Sequence, residues 1–203
     1  GEDGIYTNEG QLAGARLSGE NAAAVQWGES IDLNSLPNVT AVEVNCKMIH
    51  YPWDLVFLNP GQLAVDYRNL CADGLKEGII HDGVHMLAPV QISIARGATV
   101  KPGCVIDAEK GPVYIDEGAE IYPQAVIEGP AYIGKHSWIM ISAKIYEGTS
   151  IGPYCKIGGE VEESIIHSYT NKRHDGFLGH AYLAQWFTTG VDSNTSDFPN
   201  NYS

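Results

Sequence analysis

Positive charge is what this sequence has least of. Twelve Lys and Arg stand against 25 Asp and Glu, for a formal net charge of -13. No basic stripe is available to neutralise phosphates, which argues against nucleic acid or an anionic membrane surface as partner. A small phosphorylated substrate needs only one or two local cations and stays open. Long apolar runs are missing as well. None approaches the ~18 residues of a membrane-spanning helix, and no charged-then-apolar leader is seen. The four cysteines, Cys46, Cys71, Cys104 and Cys155, are far apart and form no CxxC or His/Cys pattern. No metal site is therefore expected, and free thiols in a reducing cytoplasm are. The first residue is Gly rather than Met, and the chain is expected to be cut from a longer protein.

What the sequence has in abundance is rhythm. Ile115, Ile121, Ile127, Ile133, Ile139, Ile145, Ile151 and Ile157 fall six apart without exception. Two residues before each stands Val113, Ala119, Ala125, Ala131, Ser137, Ala143, Thr149 or Cys155, all small or β-branched. Ile94, Val100 and Ile106 keep the same rule, separated from the later set by three extra residues in "DAEKGPVYI". A period of six fits neither the 3.6 of a helix nor the plain alternation of a strand. Positions i-2 and i share a face, and turn residues then fill the gap. This is a short strand, a corner, and another short strand. Three such sides close a triangular coil, and stacked coils make a parallel β-helix. β-Branched Ile suits its one-sided wall.

After Ile157 the rhythm weakens. Val161, Ser164 and Ile166 read as a further side after a short bulge. Residues 167–178, "HSYTNKRHDGFL", fit no side and are expected to be a loop thrown out from the wall. Ala181 and Leu183, Phe187 and Thr189, and Ser193 and Thr195 then resume the phase. Insertions in repeat proteins gather on one face and often bind. This one carries His167, Lys172, Arg173, His174 and Asp175.

The front third does not repeat. "GQLAGARLSG" and "VTAVEVNCKMI" read as strands. "YPWDLVFLNPGQLAVDYRNLC" reads as two helical pieces, the second capped by Asn59 with Pro60 in its first turn and Leu63, Tyr67 and Leu70 on one face. Trp53 is expected to anchor this segment on the β-helix. Residues 72–88 read as a Gly-rich connection. The expected fold is mainly β: a parallel β-helix of hexapeptide repeats over 88–203, preceded by a small α/β segment (1–50) and a helical linker (51–87).

The hexapeptide comb resembles the left-handed β-helix of the hexapeptide-repeat acyltransferases, and the handedness is implied by that resemblance. "YPWDLVFLN" resembles the linker that joins a nucleotidyltransferase domain to such a β-helix. Residues 1–50 would then be the tail of a truncated nucleotidyltransferase domain. Its Gly-rich nucleotide signature is absent, so no nucleotide transfer is expected from this chain alone. "GGEVEES...NKRHDGFLGHAYL" is similar to the bifunctional N-acetylglucosamine-1-phosphate uridyltransferase/glucosamine-1-phosphate acetyltransferases, in which a loop His precedes a "YLG"-like tripeptide. The closing "DSNTSDFPNNY" resembles the version found in Bacteroidetes.

The resemblance implies acetyl transfer from acetyl-CoA to the amine of a glucosamine-1-phosphate-like sugar, by a cytoplasmic homotrimer. His174 takes the place of the catalytic base, a task for which a side chain titrating near neutrality is suited. Lys172 and Arg173 would hold the sugar phosphate, with Phe177 and Asp197 at substrate-binding positions. Gly179, Gly190 and Ser193 would lie on the acetyl-CoA side. The bland alternative for each is an ordinary solvated loop residue. Several family positions are changed: Tyr146 stands for an Arg, Ser164 for a Lys, Phe177 for a Tyr, and Thr188 and Asp197 for Asn. These losses carry the second reading, a non-catalytic β-helix that oligomerises or regulates a sugar nucleotidyltransferase, such as a glucose-1-phosphate nucleotidyltransferase.

Overall fold

The computed structural model describes residues 3–24, 39–70 and 74–195. They divide into two compact units, Gly1–His50 and Tyr51–Ser203. In the first, β1 (Gly4–Asn8) lies between β2 (Gln11–Arg16), which is antiparallel to it, and β3 (Thr40–Glu43), which is parallel. Glu9 and Gly10 both take positive φ, as a two-residue hairpin turn demands. A short helix, α1 (Gly19–Ala24), follows. The Asp3 carboxylate accepts from the Ser18 hydroxyl (2.6 Å) and the Asn21 amide (2.8 Å), and these bonds hold its pKa below the usual value.

The second unit is the solenoid with one helix. Three six-stranded parallel sheets form its walls. The first wall stacks Ile79–Ile80, Thr99–Val100, Glu120–Ile121, Trp138–Ile139, Lys156–Ile157 and Asn171–Lys172. The second stacks His85–Leu87, Val105–Asp107, Val126–Glu128, Lys144–Ile145, Glu160–Glu162 and Phe177–Gly179. Ile92–Ile94, Val113–Ile115, Ala131–Ile133, Thr149–Ile151, Ile165–Ile166 and Tyr182–Leu183 make the third. The result is a left-handed parallel β-helix. The eight Ile of the comb fill its prism at 0–1 % exposure, each burial stabilising by roughly 1.5–3 kcal/mol. The small partner residues close the corners. Ser137, for example, donates to the Gly152 carbonyl (2.7 Å) and accepts from the Cys155 N–H (2.8 Å).

Five expectations about the fold need correction. Residues 167–178 are not an inserted loop, because Asn171–Lys172 and Phe177–Gly179 are wall strands in register with Lys156–Ile157 and Glu160–Glu162. Ile166, Lys172 and Leu178 keep the six-residue phase, and the Lys head group hid it. The irregularity lies earlier, where Val161 follows Ile157 by only four positions instead of six. Gly158 and Gly159 turn that shortened corner: a Cβ on Gly158 would lie 2.1 Å from the Arg173 carbonyl oxygen. The solenoid also starts before residue 88, since Ile80 and Met86 already pack on its core.

The helical segment is one helix, α2 (Pro52–Leu70), with Pro60 inside it. An interior Pro costs about 3 kcal/mol, and contacts with the wall hold the helix through it. Asn59 is not a cap: its amide donates to the Gly148 carbonyl (2.6 Å), and its oxygen accepts from the Ser150 hydroxyl (2.8 Å). Eight residues later the Tyr67 hydroxyl meets that of Ser93 at 2.9 Å. Those eight residues span ~12 Å of helix, close to the ~14 Å between the first and fourth coils. The helix therefore lies along the third wall. Trp53 does not anchor it, being half exposed and stacked on Tyr51.

At the corner between the third and first walls, His136, Tyr154, Tyr169 and Trp186 occur once per coil. Their φ values are 55–62°, and their rings stack at centroid separations of 5.1, 5.4 and 4.4 Å. Left-handed backbone is costly for such residues, and ring stacking offsets part of it. Below them Gly118 (φ 65°) leaves room for His136, whose Nδ1 would be 2.3 Å from any Cβ there.

Candidate active site

The residues singled out in the sequence lie on the last coils. Lys172 occupies the interior position that Ile157 fills one coil below. It is 2 % exposed, and its ammonium donates to the carbonyls of Gly158 (2.9 Å) and Gly176 (2.7 Å). Burial lowers its pKa, against a smaller opposing pull from Asp175 and Glu160. This is a correction to its expected role: the cation faces the prism rather than an outside phosphate. Its four-carbon stem continues the aliphatic column while the head group satisfies two corner carbonyls.

The turn that follows exposes Arg173, His174 and Asp175. One coil further the turn Gly190–Ser193 stacks directly upon it. Asp192 N–H donates to the Asp175 carbonyl (3.1 Å), and Gly176 lies so close that a Cβ would be 2.4 Å from the Ser193 carbonyl oxygen. Inside the upper turn the Ser193 hydroxyl donates to the Gly190 carbonyl (3.0 Å). The folded chain thus stacks the turn that carries Arg173 and His174 on the turn that carries Gly190 and Ser193. Phe177 lies over Gly179, where a Cβ would meet its ring at 2.6 Å. Phe177 N–H donates to Asn194 Oδ1 (2.7 Å) and Gly179 N–H to Thr195 Oγ1 (3.1 Å). Sequence reasoning missed Asn194 and read Thr195 only as a phase position, since spacing does not report which polar side chain binds backbone. Asp197 lies outside the described residues.

The surroundings are acidic. Glu160 and Glu162 stand in register with Phe177 and Gly179 on the second wall. Lys144 pairs with Glu160 at 3.3 Å. Tyr146, at the position where the resembling family has an Arg, has its pKa raised by burial and by its hydrogen bond to Glu160. The other two histidines of this coil are engaged elsewhere. His167 Nε2 lies 2.7 Å from the Tyr182 hydroxyl, and His180 Nε2 lies 2.9 Å from Glu163. Among the described residues no three of His, Cys, Asp and Glu converge as a metal would require. No helix among them is long and apolar enough to cross a membrane.

Comparison with known proteins agrees with the repeat architecture. The family model "Bacterial transferase hexapeptide (six repeats)" matches residues 130–162. "Bifunctional protein GlmU" of Nostoc sp. is 27% identical over 157 residues, covering 68% of this chain and 35% of its own length. The protein of the same name from Rippkaea orientalis is 24% identical over 219 aligned residues, covering 96% of this chain and 47% of its own. The chain therefore spans about a third to a half of the length of these curated relatives. The second unit is a left-handed parallel β-helix of hexapeptide repeats, similar over residues 130–162 to this transferase family model.

Proposed function

We propose that this domain is an N-acetyltransferase: it moves acetyl from acetyl-CoA to the amine of a glucosamine-1-phosphate-like sugar, with His174 as general base. One observation carries the reading. His174 stands exposed on a turn that stacks on Gly190–Ser193 through the Asp192–Asp175 bond. In the reaction the neutral amine nitrogen attacks the thioester carbonyl, a C–N bond forms, the C–S bond breaks to release the coenzyme A thiolate, and the imidazole takes the amine proton and passes it to that thiolate. Glu160 and Glu162 favour an ammonium-bearing acceptor at the approach. Arg173 is the cation this turn offers to a phosphate, while Asp192 repels one. A homotrimer, with sites completed by neighbouring copies, and a cytoplasmic setting belong to this reading. So does a nucleotidyltransferase domain preceding the solenoid in the full-length protein, with residues 1–50 as its tail.

The second reading, a non-catalytic oligomerising β-helix of a sugar nucleotidyltransferase, is favoured by the inward turn of Lys172. Thiol release from acetyl-CoA with glucosamine-1-phosphate, for the wild type and His174→Ala together, separates the two. Acetyl transfer predicts release that falls by about 10²–10⁴ in the variant. No release from either protein at high enzyme concentration would overturn this acceptor and favour the second reading.

A further inference from the structure

Hydrogen bonds of Asn59 to Ser150 and of Tyr67 to Ser93 staple α2 to the third wall. The helix roofs a cavity of about 400 Å³ over the second and third coils. Tyr114 and Tyr132, outward residues of those coils stacked at 6.0 Å, form the floor, with Pro112 and Ala131 beside them. Leu63, Leu70, Gln62 and Asp66 form the helix side. Among the described residues the lining is mainly apolar, with two carboxylates and no Lys, Arg or His. Asp116 is 9 % exposed and fixed in place, accepting from the Tyr132 hydroxyl (2.8 Å) and the Glu117 N–H (2.7 Å). A carboxylate offers about four lone-pair directions, so two remain. Asp66, held by the Gln62 amide (2.7 Å), stands exposed on the helix side.

We infer that this cavity is a binding site for a small amphipathic organic amine. Charge complementarity selects the class. A phosphate or carboxylate ligand would meet two like charges and no cation. A protonated amine would place its ammonium on Asp116, with Asp66 adding to the field, and lay an apolar body along the Tyr rings and leucines. The site lies on the third wall and is independent of the turn that carries His174, so it stands or falls apart from the proposed acetyl transfer.

The test is a titration of the intact chain, by calorimetry or ligand-observed NMR, with phenethylammonium chloride and its neutral isostere 2-phenylethanol. Saturable binding of the amine is expected, with the alcohol at least about tenfold weaker, as the loss of one charge-assisted bond predicts. Asp116→Asn should weaken the amine by a similar factor and leave the alcohol unchanged. Leu63→Trp, which fills the roof side, should abolish binding of both without altering the circular dichroism spectrum. Equal affinity for the two probes would overturn the assignment of charge class. Absence of saturable amine binding up to about 10 mM would overturn the site itself. Amine binding that survives both variants would place it elsewhere on the chain and also reject the proposal.

Discussion

The Lys172 ammonium lies 2.7 Å from the carbonyl oxygen of Gly176, four residues on, and closes the turn that holds Arg173, His174 and Asp175. A second bond, to Gly158 O at 2.9 Å, ties that turn to the shortened corner one coil below. A buried cation thus braces the part of the solenoid that presents the candidate base. Its placement has consequences that can be measured.

Burial depresses the pKa of Lys172 in the folded protein, whereas in the unfolded chain it titrates near ~10.4. Below the depressed value both states carry the proton, and the burial penalty is present in full. Between the two values the unfolded state binds more protons, so stability rises with pH. The wild type should therefore gain stability relative to Lys172→Met as pH climbs toward ~10.4. Urea melts of both proteins at pH 7.5, 8.5 and 9.5 check this, and a constant difference across the series would rule it out.

Thr149 Oγ1 is buried at a corner position without a hydrogen-bond partner. Thr149→Val keeps the shape and removes the orphaned hydroxyl. A gain of about 1 kcal/mol is expected, the low end of the penalty for a buried unsatisfied group. Chemical denaturation reads the shift directly.

Gly158→Ala should do the opposite. Its Cβ would lie 2.1 Å from a backbone oxygen that the Lys172 turn holds in place. With no flexible side chain to yield, overpacking of roughly 1–3 kcal/mol is expected. If acetyl transfer is observed, it should fall as well, because Arg173 and His174 sit on the displaced strand end. Unchanged stability would mean that the corner relaxes freely.

Tyr67→Phe removes the hydroxyl that meets Ser93 and leaves that buried side chain one bond poorer. About 1 kcal/mol should be lost. Hydrogen exchange should locate the loosening on α2, with the amides of the three walls unaffected.

Much of this architecture is legible in the chain itself. A single repeating need, an aliphatic side chain every sixth residue to fill a narrow prism, writes the walls into the sequence from Ile94 to Ile157. The same reading fails at Lys172, because its charged head masks an aliphatic stem in the right register. It fails again at the solenoid start, where Ile80 and Met86 keep the six-residue step but Ile94 follows Met86 by eight positions. Asn59-Pro60 reads locally as a helix boundary, yet the bonds of Asn59 to Gly148 and Ser150, some ninety residues away, keep the helix continuous.

The candidate site divides in the same way. That His174 follows a basic pair and precedes Phe177-Leu178-Gly179 is a property of the sequence alone. Only the tertiary structure decided that Lys172 turns inward, that the Arg173–Gly176 turn stacks on Gly190–Ser193, and that a cavity opens beneath α2. The physical reason is common to all three. Periodicity reports which side chains must leave water, but each of these features depends on which coil lies above or below, and vertical neighbours are set by the number of residues in each corner.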